Sequence, residues 1–327
     1  MSKTIMVTGG AGYIGSHVCK ELKQRGYFPV VFDNLSTGHT WAVKWGALEV
    51  GDIADESLLN QALLSHKPTA VIHLAASAYV GESVINPMKY YQNNVCGTTT
   101  LLKTLVEHGI KQLIFSSTCA TYGHPQQLPL TEDHNQDPIN PYGRSKYMVE
   151  QILRDYDFAY GVKSISLRYF NAAGADLSGD IGELHIPETH LIPLVIEAAL
   201  QKKILTVFGN DYETQDGTCI RDYIHVSDIA RAHVLALERL ENQQTSDTFN
   251  LGSETGKSVF EVITCAEDVL GLPVPIAIQA RRDGDPPILV ADASKARKVL
   301  GWNSESSDLV RIFESAHKWY ERSRNLN

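Results

Sequence analysis

Two side chains four residues apart, in Tyr142-Gly143-Arg144-Ser145-Lys146, have the types that proton chemistry needs. At i and i+4 of a helix they share one face. A phenol loses its proton near pH 10, so its use as a base at neutral pH requires a pKa lower by about three units, or roughly 4 kcal/mol. An ammonium about 4 Å away supplies that at an effective dielectric near 20. The spacing alone is common on surface helices. Its weight comes from what precedes it: the hydroxyls Ser116-Ser117-Thr118 ending an apolar run, and the turn Gly9-Gly10-Ala11-Gly12-Tyr13-Ile14-Gly15.

That turn follows the apolar run 4–8 and leads into a helix-like segment reaching about Arg25. Glycines are required where a backbone turns sharply, approaches a pyrophosphate, or lets helix pack on strand. The helix N-terminus then offers free N–H groups and a positive dipole end to phosphate. Asp33 ends the next apolar run, where a carboxylate accepts hydrogen bonds from an adenosine ribose. A carboxylate there repels the 2′-phosphate of NADP, and no arginine follows in Asn34-Leu35-Ser36-Thr37-Gly38, so NAD is favoured. Gly51-Asp52-Ile53 closes the third run, with Asp52 placed to meet an adenine amine, although alone such an acid is more often a turn or cap.

The elements that must position these groups are legible as short β-branched runs at 4–8, 29–32, 48–50, 70–74, 113–116 and 164–167, most separated by helix-length segments. This is βαβ alternation, and near-continuous apolar strands imply a parallel sheet covered on both faces. Ligands of such sheets bind beyond the carboxyl ends of the strands, where Ser116-Ser117-Thr118 should emerge. After Asn140-Pro141, the stripe Val149, Ile152, Leu153, Tyr156 and Tyr160 predicts a helix beginning near Tyr142. From about Phe170, glycines and prolines interrupt the alternation. The expected fold is α/β: a doubly wound NAD-binding Rossmann domain over 1–169, with the chain returning to it around 223–250. A smaller α/β substrate domain spans 170–327, packed on the first around a shared cleft.

Composition narrows the partners. The 327 residues carry 29 Lys and Arg against 38 Asp and Glu, a net charge of −9, with no basic block. Nucleic-acid and anionic-membrane binding are disfavoured, while small anions remain open because they respond to local charge. Five cysteines without a C-x-x-C pair suit reduced thiols in a cytoplasmic protein. No apolar stretch is long enough to span a bilayer. His73, His185 and His225 lack the spacing of a metal site and are expected to be structural, with no metal bound.

The motifs together (8–15, Asp33-Asn34-Leu35, Ser116-Ser117-Thr118, Tyr142-x-x-x-Lys146, Arg168-Tyr169-Phe170-Asn171 and Arg221-Asp222-Tyr223-Ile224-His225-Val226) resemble the extended short-chain dehydrogenase/reductase family, and within it the UDP-glucose 4-epimerases, over essentially the whole chain. The resemblance implies that NAD⁺ stays bound while a tyrosinate deprotonates the sugar 4-hydroxyl and hydride leaves C4. The keto sugar then turns and takes the hydride back on its other face. Tyr142 would be base and then acid, Lys146 would lower its pKa and hold the nicotinamide ribose, and Thr118 would bond the reacting oxygen. The same resemblance puts Gly9, Gly12, Tyr13, Ile14, Gly15, Asp33, Asn34, Leu35, Ser36, Asp52, Ile53, Leu74, Ala75, Ala76, Asn94 and Phe170 around NAD with those three. Asn171, His190, Leu191, Thr206, Val207, Phe208, Arg221, Arg282 and Asp285 would surround the UDP-sugar, the arginines on its diphosphate.

Thr118 is followed by Cys119-Ala120-Thr121-Tyr122, without the acids that sister dehydratases carry there, so epimerisation or oxidation at C4 is expected. UDP-glucose and UDP-galactose are the first substrates. The pairs UDP-arabinose/UDP-xylose and UDP-GlcNAc/UDP-GalNAc are alternatives, the latter hindered by Leu289. The loop 75–79 lacks a lysine that some relatives have. A net sugar dehydrogenase and a non-catalytic NAD-binding regulator are the rival classes. Relatives suggest a homodimer through helices 87–108 and 142–160.

Overall fold

The computed structural model describes residues 2–282 and 285–324. Residues 1, 283, 284 and 325–327 lie outside the described residues.

The six apolar runs form β1 (Thr4–Thr8), β2 (Phe28–Asp33), β3 (Ala47–Val50), β4 (Ala70–His73), β5 (Gln112–Thr118) and β6 (Lys163–Tyr169). The helices between them are α1 (Tyr13–Gln24), α2 (Glu56–His66), the short α3 (Val80–Ile85) and α4 (Pro87–Tyr90), α5 (Thr98–Glu107) and α6 (Pro141–Tyr160). A wide π-helical segment, Tyr91–Gly97, joins α4 to α5. The strands lie in one parallel sheet of order β10-β6-β5-β4-β1-β2-β3, in which β10 (Asp247–Leu251) arrives from far along the chain behind α8 (Val226–Gln243).

Alternation explains the layers. Ile5, Val7, Ile72, Ile114 and Ile165 face a core closed by Val18 and Leu22 of α1 and Ile229, Leu237 and Leu240 of α8. Met6, Val71, Leu113 and Phe115 face Leu59 of α2, Leu101 and Leu105 of α5, and Val149 and Leu153 of α6. A strand apolar on both sides is therefore buried on both sides.

The remaining chain builds a second layer. β7 (Asn171–Ala173), β9 (Ile220–His225), β11 (Gly256–Ser258) and β13 (Ile288–Leu289) form one small sheet, while β8 (Leu205–Phe208) pairs with β12 (Ile276–Gln279). Their core is shared with α7 (Leu191–Gln201), α9 (Val259–Leu270) and α11 (Leu309–Ser323). The intervening α10 (Ser294–Leu300) and Trp302 pack instead on the large sheet's first core. Caps set the ends that matter: the Asn140 side chain accepts the Gly143 N–H, Pro141 opens α6, and left-handed Gly161 closes it.

Candidate active site

β5 runs two residues beyond its apolar stretch, so Ser116, Ser117 and Thr118 alternate sides at the sheet's carboxyl edge. Thr118 Oγ1 accepts the Ala120 N–H at 3.1 Å and starts a tight turn over Cys119–Thr121. A Cβ on Gly143 would lie 2.3 Å from the Ala120 carbonyl oxygen, so glycine there lets the first turn of α6 sit directly on this turn. That contact brings Tyr142 beside Thr118, whose hydroxyl is near enough to hydrogen-bond the phenol.

Electrostatics here differ from the simple lysine argument. Burial pushes the Tyr142 phenol well up, neighbouring Tyr169 adds to the rise, and only the Thr118 hydroxyl pulls it down. The Lys146 ammonium donates to the Ser116 carbonyl at 2.8 Å, lies 4.9 Å over the Phe115 ring, and is lowered by burial to about 7. In the free protein, desolvation of the phenol outweighs the pull of one ammonium that bonds a carbonyl.

Beneath the hydroxyls lies an ion pair. Arg168 holds Glu150 through Nε at 3.0 Å and Nη2 at 2.6 Å, both side chains 2% exposed, and Ser117 Oγ donates to the same carboxylate at 2.5 Å. Burial would raise the Glu150 carboxyl, but Arg168, Ser117 and Gln136 together hold it low.

The glycine turn packs as its spacing requires. A Cβ on Gly15 would approach the Gly9 carbonyl oxygen to 2.1 Å, and left-handed Gly9 sits against Ala75, closing Leu74, Ala75 and Ala76 onto the turn. Gly12 caps α1 without a side-chain acceptor, and among the described residues no acceptor meets the N–H groups of Tyr13, Ile14 and Gly15. Three free donors at a helix N-terminus fit the diphosphate of a dinucleotide. Asp33 accepts Ala11 N–H at 3.0 Å and Leu35 N–H at 2.8 Å, and burial raises its carboxyl against them. Asn34 donates to Asp52 at 2.8 Å and accepts the Ser36 N–H, while Ile53 packs beneath Gly97. Asn94, on the π segment, bonds Ser77 N, Ser77 O and Ser145 Oγ, tying loop 74–79 to α6. The Tyr13 side chain turns away from the turn it opens: its hydroxyl donates to the Gly174 carbonyl at 2.6 Å.

In the second layer, Arg221 on β9 donates to the Ile220 carbonyl at 2.7 Å and to Asp285. It also reaches the strand-end turn, since the Cys119 thiol, raised by burial to about 12, is pulled down by the Arg221 charge. Arg282 stacks 4.1 Å over Phe208, and Thr206 shares the half-exposed face of β8 with Phe208. Phe170, Leu289, Cys119 and Tyr122 pack together, with Asn171 following Phe170 onto β7. Leu191 opens α7. Strand alternation sends the Val207 side chain into the second core, so only its backbone is left to meet a ligand. His190 bonds Glu183, with its side chain about half exposed. Burial opposes its charge, but Glu183 raises it to about 9. His73 lies between Thr8 Oγ1 at 2.7 Å and Thr98 Oγ1 at 2.8 Å, lowered by burial to about 3.

The sequence reading gave no role to Glu150 with Arg168, although a charge inside an apolar strand was a signal. It also passed over Glu183, Glu188 and His190 as companions of His185, which the structure gathers into one cluster. The two Glu-x-His units at 183–185 and 188–190 were the available sign.

Residues 5–252 match the NAD dependent epimerase/dehydratase family. The chain is 54% identical over 322 residues to the UDP-glucose 4-epimerase of Rhizobium leguminosarum bv. trifolii, covering 98% of each. Among solved structures it resembles the Brucella ovis UDP-glucose 4-epimerase in complex with NAD, with TM-score 0.94, 52% identity and 97% and 98% of the two chains covered. It also resembles the Bifidobacterium longum UDP-glucose 4-epimerase in complex with NAD⁺ and UDP, with TM-score 0.94, 39% identity and 99% of each chain covered. A family model spanning most of the chain and a full-length relative at such identity leave one conclusion: the chain belongs to the NAD dependent epimerase/dehydratase family.

Proposed function

We propose that the chain interconverts UDP-glucose and UDP-galactose. The observation that carries this is the meeting of Thr118 and Tyr142 at the end of β5, with Lys146 of the same helix bonding the Ser116 carbonyl there. Bound NAD supplies a reversible hydride acceptor for sugar C4 and, oxidised, a positive charge near the phenol. Tyr13, Ile14 and Gly15 N–H groups would hold its diphosphate. Asp33 retains acceptor capacity for its ribose, because two N–H bonds leave about half of a carboxylate's lone-pair sites free. Asn34 with Asp52 would border its adenine, and Phe170 and Lys146 its nicotinamide end.

Tyr142 takes the proton of the sugar 4-hydroxyl and gives it back after the sugar turns, with Thr118 bonding the reacting oxygen. A phenol raised this far by burial in the free protein is a poor base, so its activation would depend on positive charge brought by the bound oxidised cofactor. Arg221 spends two of its five donors on Ile220 and Asp285, which leaves three for phosphate oxygens. Leu289, packed beside Cys119 and Phe170, supports a hexose without a bulky 2-substituent.

We place the protein in the cytoplasm and as a homodimer. Supporting the dimer, Met88 and Met148, on the two helices expected to pair, are 67% and 39% exposed. Among the described residues no helix is long and apolar enough to cross a membrane. The test is to denature purified protein, assay released NAD, and offer the native protein UDP-galactose, UDP-glucose, UDP-GlcNAc and UDP-arabinose. Released NAD with fastest turnover of the UDP-glucose/UDP-galactose pair is expected; activity on none of the four contradicts the proposal.

A further inference from the structure

The segment between β7 and α7 carries Glu183-Leu184-His185-Ile186-Pro187-Glu188-Thr189-His190, in which Glu-x-His occurs twice, five residues apart. The chain folds so that one ligating atom from each of Glu183, His185, Glu188 and His190 lies within 4.8 Å of the others. His185 Nδ1 is 2.9 Å from Glu183 Oε1 and 4.0 Å from Glu188 Oε1. His190 Nδ1 is 3.6 Å from Glu188 Oε1 and bonds Glu183 directly.

Metal-to-ligand bonds of about 2.0–2.1 Å in a tetrahedron give ligand-to-ligand edges of roughly 3.3–3.4 Å. The separations of 2.9, 4.0 and 3.6 Å bracket that edge, while the directly bonded His190 and Glu183 would have to move apart to seat an ion. A second observation points the same way. His185 Nδ1 is buried and, despite its closeness to Glu183, makes no hydrogen bond. A buried polar atom without a partner is costly, and a metal bond would satisfy it. With the His190 proton released on binding, two carboxylates and two imidazoles carry the charge that one divalent cation cancels.

We propose that Glu183, His185, Glu188 and His190 form a binding site for a zinc-type divalent cation. Two imidazole nitrogens and two carboxylate oxygens suit zinc, with cobalt as its spectroscopic substitute. The site has a place in the fold. The ring of Tyr13, first residue of α1, stands edge-on to His185 at 6.4 Å, and Tyr79 does so at 5.7 Å. His190 immediately precedes α7. An ion there pins the 174–190 loop against the glycine turn and loop 74–79, beside the proposed cleft and apart from the reacting groups.

Untagged protein is stripped with a chelator, dialysed against Co²⁺ or Zn²⁺, and read by metal content per chain and by the visible spectrum of the cobalt form. One tightly held ion per chain, an intense tetrahedral cobalt spectrum and its loss on adding Zn²⁺ are expected. His185→Ala with Glu188→Gln should weaken binding by at least about 10-fold. His66→Gln, a substitution at a distant His–Glu contact, should leave it unchanged. Wild-type protein that gives no tetrahedral cobalt spectrum overturns the proposal, as does a double variant that binds as tightly as wild type. The wild-type spectrum decides the matter even if the double variant misfolds.

Discussion

The two layers of the molecule manage charge in opposite ways. At the end of β5 desolvation rules: the Tyr142 phenol is driven up, the Lys146 ammonium is driven down to about 7, and the lysine bonds a carbonyl rather than a carboxylate. In the second layer opposite charges rule. Arg221 is held by Asp285 with its charged form favoured. The contrast teaches a division of labour. Groups that must change protonation during a reaction are kept from forming salt bridges, which would fix their state. Groups proposed to hold a dianionic ligand are kept charged by partners that a phosphate can rival.

That division can be broken from either side. Tyr142→Phe removes one oxygen from the reacting side and should cut turnover by about 10²–10⁴-fold while NAD content is unchanged. Steady-state assay with release of bound nucleotide reads both, and retained turnover would remove the phenol from the chemistry. Glu150→Gln leaves Arg168 charged and buried, at a cost of about 3–5 kcal/mol by denaturant melting. The equivalent Asp285→Asn, whose carboxylate is 28% exposed, should cost much less, and equal losses would erase the distinction between the two arginine pairs. Arg221→Ala should raise KM for the nucleotide sugar about 10- to 100-fold with kcat nearly kept, as expected for losing a charged hydrogen-bond donor.

The smallest effect is a slope. An unfolded lysine keeps its proton to about 10.5, whereas folded Lys146 gives it up near 7. Between those values the unfolded state binds more protons, so wild-type stability rises with pH by at most about 1.4 kcal/mol per unit. A Lys146→Met variant lacks this term. Its advantage over wild type should be largest below pH 7 and shrink toward pH 10.5, and parallel curves would show that Lys146 is not desolvated.

Much of the sheet was legible because its information is local. Strand runs, the glycine spacing and the Asn140-Pro141 helix start each constrain their own neighbourhood, and β1, α1, β5 and α6 lie where those signals put them. The reacting side needed only two such elements to meet, so Thr118, Tyr142 and Lys146 could be read together. What composition could not convey was the desolvation of those groups, which depends on Phe115 of β5 itself and on Tyr169 and Tyr90 arriving from two other elements. The opposite side was legible only by resemblance, since Phe208 with Arg282 and Arg221 with Asp285 join distant segments. The burial of the Val207 side chain was not legible either, because two-residue alternation in a short strand decides which neighbours face the core. The Glu183 to His190 cluster escaped a search tuned to helical spacing, because it is built on a loop.

The central claim is that hydride leaves sugar C4 and returns to the same carbon without reaching solvent. Incubating the protein with UDP-galactose deuterated at C4, without added NAD⁺, and examining the UDP-glucose by mass spectrometry tests it directly. Product formed over many turnovers with deuterium retained is the predicted result. Loss of deuterium to water, or stoichiometric accumulation of reduced cofactor, would contradict it.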